Sequence, residues 1–134
     1  MAETKSSLVL VADDDEQLRG LYVLKLENSG FRVATAGNGV EACQLAKNLQ
    51  PDLILMDYEM PVMNGVEALT KLKADPATAN LKVAFLTAFG DPSAEHRAVT
   101  DTKFAQDAGA LDYIRKGIDL DELITKVRGY IGNQ

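Results

Sequence analysis

The chain has 134 residues, 46% of them hydrophobic and 25% charged, which suits one globular domain and argues against a disordered tail or a fibre. At this length folding buries roughly 68% of the unfolded surface, so neither a disulfide nor a structural metal is required, and the single cysteine, Cys43, excludes an intrachain disulfide. Fourteen Lys and Arg against twenty Asp and Glu leave a net charge of −6, the opposite of the balance that phosphate neutralisation demands, which speaks against direct nucleic-acid binding by this chain.

The first apolar run, Leu8 to Ala12, is far too short for a signal-peptide core or a membrane span, so the chain is expected to stay in the cytoplasm. Leu18, Leu21, Tyr22 and Leu26 then form a helical stripe, and a second run, Phe31 to Ala36, follows. Asn38 with Glu41 fits the N-cap and N3 positions of a second helix. Cys43 falls within that helix in pattern with Val40 and Ala46 and reads as a buried structural thiol. The third run is Leu53 to Met56, and Asn64 with Glu67 opens a third helix. The fourth run is Lys82 to Leu86, and Asp91 with Pro92 suits the start of a fourth helix. Ala110 to Ile114 is the fifth run. The last helix opens on Asp119 and Glu122 and carries Leu120, Leu123, Ile124, Val127 and Ile131 on one face.

Three of the five runs are nearly continuous Val, Ile and Leu, as expected of strands covered on both faces. Fivefold alternation of strand and helix predicts a doubly wound α/β parallel sheet, in which ligands bind at the carboxyl ends of the strands. Strand one ends in Ala12, Asp13, Asp14, Asp15 and Glu16. A nucleotide-binding turn would be glycine-rich here, whereas these carboxylates repel phosphate and attract cations. Strand three ends in Asp57, and strands one and three are neighbours in this fold. Asp14 and Asp15 each also suit an N-cap, and a lone strand-end Asp is usually a turn residue. Convergence of three acids at the end of an apolar run favours a site, because crowded carboxylates need a counter-charge. Oxygen-only ligands of this kind suit Mg2+. Thr87 ends strand four and Lys116 follows strand five, so a hydroxyl, an ammonium and a divalent cation would surround Asp57. That set suits phosphoryl transfer to a carboxylate oxygen, with Asp57 as nucleophile.

The segments LVLVADDDEQLR (8–19), PDLILMDYEMPVMNG (51–65), AFLTA (84–88) and AGALDYIRK (108–116) resemble, in order and separation, the receiver domain of two-component response regulators. The likeness covers nearly the whole chain, read as one receiver domain over residues 1–134 with its core at about 7–131. It implies a flavodoxin-like (βα)5 fold with strand order 2-1-3-4-5. It also implies that Asp57 accepts a phosphoryl group from a phosphohistidine of a sensor histidine kinase or a histidine phosphotransfer protein. Asp13 and Asp14 match the acidic pair that holds Mg2+ together with Asp57, and Glu59 matches the position whose backbone carbonyl also binds the metal. Thr87 and Lys116 match the pair that contacts the phosphoryl oxygens. Tyr113 matches an aromatic switch position, although a strand-packing aromatic is an equal reading. Glu59 and Phe89 match positions that tune access of water to the acyl phosphate. The fourth helix, fifth strand and last helix would carry the change to an unnamed protein partner, with a phosphorylation-dependent dimer left open.

Two departures stand out. Receivers usually carry Pro after the site lysine, where this chain has Gly117; a cis bond to a non-proline residue costs ~3 to 4 kcal/mol, so a trans Lys116–Gly117 bond is expected. The stretch from Thr87 to Tyr113 is also longer than usual by about two helical turns. The extra residues fall within Phe89 to Gln106, together with His96, the only histidine, which reads as an exposed helix residue.

The expectation is thus a stand-alone receiver that turns over no external substrate, catalysing only its own phosphoryl transfer and slow dephosphorylation. Two alternatives remain: a receiver-shaped scaffold that is not phosphorylated, for which Gly117 is the support, and a Mg2+-dependent aspartyl-phosphate phosphatase. The latter wants a second Asp two residues after the nucleophile, where Glu59 stands.

Overall fold

The computed structural model describes residues 6–87 and 109–132. Its elements, in chain order, are β1 (Leu8–Ala12), α1 (Glu16–Asn28), β2 (Arg32–Ala36), α2 (Gly39–Leu49), β3 (Leu53–Asp57), α3 (Gly65–Ala74), β4 (Val83–Thr87), β5 (Asp112–Arg115) and α4 (Leu120–Ile131). The helix expected from Asp91, the added length within 89–106, Phe89 and His96 all lie outside the described residues. The five strands are all parallel, in the order β2-β1-β3-β4-β5, the flavodoxin-like order expected.

Period-two alternation feeds two cores, one on each face of the sheet. Val9 and Val11 of β1 and Leu53 and Leu55 of β3 pack with Tyr22 and Leu26 of α1 and Leu123 and Val127 of α4. Leu10, Ile54, Met56 and Phe85 point the other way, against Ala42 and Ala46 of α2 and Ala68 and Leu69 of α3. β3 and β4 are buried along their whole length, whereas edge strand β2 is largely open. Leu21, grouped by periodicity with the buried face of α1, is 52% exposed: the i, i+4 series through Leu18, Tyr22 and Leu26 faces the sheet, and Leu21 falls off it. Cys43 is half-buried, packs beside the α2 and α3 core, and donates its thiol to the Ala68 carbonyl.

The helix starts follow the local chemistry read from the sequence. Asn38 Oδ1 accepts from Glu41 N–H at 2.9 Å and Asp119 Oδ2 from Glu122 N–H at 3.1 Å. Asn64 and Glu67 close a complete reciprocal capping box at α3. Gly65, the first residue of α3, is required for another reason: a Cβ there would stand 2.6 Å from the Asp57 carbonyl and 2.8 Å from the Phe85 ring. The start of α3 therefore rests directly on the end of β3. Among the described residues no helix is long and apolar enough to cross a membrane.

Candidate functional site

Parallel register decides which strand ends meet. Ala12 lies opposite Met56, so the next residues, Asp13 and Asp57, leave the sheet side by side. Thr87 lies opposite Arg115, which brings Lys116 in beside it. Asp13 is 0% and Asp57 2% exposed, whereas Asp14 is open to solvent. One oxygen from each of these three carboxylates lies within 4.8 Å of the others.

The loop after β1 is held by its own acids. Asp15 Oδ1 accepts from the amides of Gln17 and Leu18, both at 3.1 Å, and so caps α1. The capping role that the sequence left open between Asp14 and Asp15 falls to Asp15, and Asp14 joins the cluster. Asp13 Oδ1 accepts from Asp15 N–H at 2.9 Å, and Arg19 Nη1 donates to the Asp13 carbonyl at 2.7 Å. After β3, Glu59 N–H donates to Asp57 Oδ1 at 3.1 Å while the Glu59 side chain is exposed.

Lys116 crosses the site from the other side. Its Nζ lies 3.0 Å from Asp57 Oδ2 and 3.3 Å from Asp13 Oδ2, and its backbone N–H donates to the Thr87 carbonyl at 2.8 Å. These are ion pairs by distance rather than aligned hydrogen bonds: among the described residues neither buried Oδ2 accepts a directed hydrogen bond. Tyr113 Oη donates to Thr87 Oγ1 at 3.1 Å. The Tyr113 ring lies 5.7 Å from that of Tyr58, which in turn meets Phe85 edge-on at 5.5 Å. The Lys116–Gly117 peptide is trans.

The electrostatics follow from this packing. Burial pushes the Asp57 carboxyl up from its ordinary 3.8 to about 7; the Asp13 charge adds to the rise, and the Lys116 ammonium and Glu59 N–H oppose it. For Lys116, burial favours loss of the proton, but the contacts with Asp57 and Asp13 outweigh it and the net shift is upward. The lysine therefore stays charged, while the charge of Asp57 is settled only near neutrality. Two buried carboxylates, Asp13 and Asp57, face this ammonium, Asp14 joins them in the acidic cluster, and two buried oxygens have lone pairs with no directed donor. An all-oxygen donor set with excess negative charge fits a hard divalent cation such as Mg2+.

Two residues at the site were not singled out from the sequence. Arg19 lies one turn beyond Asp15 on α1, a spacing that could have placed it over the strand end. Tyr22 was legible only as part of an apolar stripe, yet it is fully buried and its hydroxyl reaches the Lys116 carbonyl at 3.3 Å. A phenol among leucines was the available signal, since a buried Tyr hydroxyl needs a partner. Burial, and then the charges of Asp13, Asp57 and Asp15, push its pKa up to about 12, so it remains a donor.

Comparison with known proteins agrees with this arrangement. The family model described as the response regulator receiver domain matches residues 9–128. The chain is 34% identical to the DNA-binding dual master transcriptional regulator RpaA of Synechocystis sp. over 92% of this chain and 48% of that protein. It is 33% identical to the DNA-binding response regulator MtrA of Mycobacterium tuberculosis over 94% of this chain and 51% of that protein. The chain thus spans about half the length of these relatives. It is also 32% identical to the polar-differentiation response regulator DivK of Brucella anthropi, over 93% of this chain and 96% of that protein. Among solved structures, the receiver domain of the Francisella response regulator 1452 superposes with a TM-score of 0.81 at 28% identity, covering 94% of this chain and 97% of that one. The signal receiver domain of a signal transduction histidine kinase from Syntrophus aciditrophicus gives 0.78 at 27% identity, covering 94% and 90%. With this fold, register and acidic cluster, the chain belongs to the receiver domain family of two-component response regulators.

Proposed function

We propose that this chain is a phosphorylation-dependent switch in which Asp57 accepts a phosphoryl group from a phosphohistidine on a sensor histidine kinase or histidine phosphotransfer protein. The observation that carries this reading is the buried Asp57 carboxylate at the end of β3, whose Oδ2 accepts no directed hydrogen bond among the described residues while Asp13, Asp14 and Lys116 crowd around it. A carboxylate oxygen of Asp57 attacks phosphorus, the N–P bond of the phosphohistidine breaks, and the leaving imidazole takes up a proton. Asp57 must be ionised to attack, and the neighbouring ammonium favours that form. Lys116, 3.0 Å away, is placed to balance charge on the phosphoryl oxygens as the group arrives.

Asp13, Asp14 and Asp57, with the backbone carbonyl of Glu59, would hold Mg2+. When bound, the ion would neutralise charge on the transferring group and on the carboxylates. The chain turns over no external substrate in this reading. The Thr87 hydroxyl, tied to Tyr113 at 3.1 Å, is the group to respond to new acceptor oxygens, so that phosphorylation alters the face formed by β5 and α4 and with it the binding of a downstream protein.

Incubation with Mg2+ and acetyl phosphate followed by intact-mass measurement tests this reading. A gain of one phosphoryl group that disappears in Asp57→Asn is the expected result. Turnover of small phosphoesters would instead make the chain a phosphatase, and complete inertness would leave a receiver-shaped scaffold.

A further inference from the structure

The ammonium of Lys116 has to be held over Asp57, yet the chain around it has little of its own to hold it. The lysine sits on a turn closed by Ile118 N–H on the Arg115 carbonyl at 3.0 Å, and the next residue, Gly117, has no side chain to pack and the widest backbone freedom of any residue. Two hydrogen bonds pin the Lys116 backbone from outside this turn. One comes from the sheet, Lys116 N–H to the Thr87 carbonyl at 2.8 Å. The other comes from α1, the Tyr22 hydroxyl to the Lys116 carbonyl at 3.3 Å, across 94 positions of sequence. The Tyr22 ring is fully buried in the core shared by α1 and α4, so close packing rather than a flexible side chain fixes where its hydroxyl stands.

We propose that Tyr22 is a positioning residue for phosphoryl transfer: its hydroxyl, anchored by the core, clamps the Lys116 carbonyl and so keeps the lysine ammonium over Asp57 despite the pliant Gly117. This rests on the reading of Asp57 as phosphoacceptor. The clamp also ties α1, which begins at the acidic loop, to the turn that carries the lysine. The acids on one side of the site and the cation on the other are thereby held at a fixed separation.

Tyr22→Phe keeps the ring and removes only the hydroxyl. The variant should take up phosphoryl from acetyl phosphate more slowly, by roughly three- to tenfold, the loss expected for one neutral hydrogen bond. The same substitution made in a Lys116→Met background should leave the rate of that background unchanged, because its whole effect passes through the lysine. Hydrogen exchange of the Lys116 amide should accelerate in Tyr22→Phe relative to the amides of β1 and β3. A wild-type rate in Tyr22→Phe, or an equal slowing in both backgrounds, would overturn the proposal. If the wild-type chain takes up no phosphoryl group, the phosphoacceptor reading falls instead; the exchange measurement then decides the clamp alone, and an unchanged Lys116 amide overturns it.

Discussion

At Asp57 two requirements conflict, since a nucleophilic carboxylate needs its charge and a group only 2% exposed is expensive to charge. Its folded pKa of about 7 stands above the ordinary 3.8, so the folded state binds the proton more tightly than the unfolded chain does. The resulting stability is fully present below about pH 4 and is lost as pH rises through about 7. Denaturant titrations of metal-free protein should therefore show lower stability at pH 8 than at pH 5. Asp57→Asn removes the buried charge while Lys116 keeps Asp13 at 3.3 Å. It should be more stable than wild type at pH 8, by about 1–3 kcal/mol, and the gap should close below pH 4. An Asn variant that is weaker at both pH values would show that the ion pair with Lys116 outweighs the desolvation of Asp57.

Among the elements, α3 is the one most directly coupled to the site. Its start is fixed by the Asn64 and Glu67 capping box and by contact of Gly65 with the Asp57 carbonyl. Asn64→Ala should cost about 1 kcal/mol, the usual value of a lost N-cap, with little effect on phosphoryl uptake. Gly65→Ala should cost about 1–3 kcal/mol. Backbone cannot yield at 2.6 Å, so the helix must move off β3, and phosphoryl uptake should slow as well. Thermal melts and acetyl phosphate kinetics on the two variants separate these outcomes. The capping box was legible in the sequence because it is written within four residues. The close approach of Gly65 was not, because it depends on where β3 and Phe85 lie in space. The α1 stripe shows the same limit: periodicity grouped Leu21 with Leu18, Tyr22 and Leu26, and only the packing of the i, i+4 series on the sheet showed that Leu21 lies outside it, in solvent.

For the whole molecule, an ion that binds only the folded state should stabilise it by mass action. With Asp13, Asp14 and Asp57 as proposed ligands, Mg2+ should raise the thermal midpoint in a concentration-dependent way. The rise should be larger at pH 8 than at pH 5, because protons compete for Asp57. Asp13→Asn should abolish most of the effect, and an equal rise in wild type and variant would place the ion elsewhere. Taken alone, the sequence determined the strands, the starts of α2, α3 and α4, the five-stranded α/β class and the acids at the strand ends, because apolar periodicity and capping chemistry act over a few residues. Tertiary structure decided which of two adjacent aspartates caps α1 and which joins Asp13 and Asp57. It also decided that a core tyrosine of α1 reaches the carbonyl of Lys116. Both outcomes depend on strand register and on helix packing across the sheet, which join residues far apart in the chain and leave no local pattern to read.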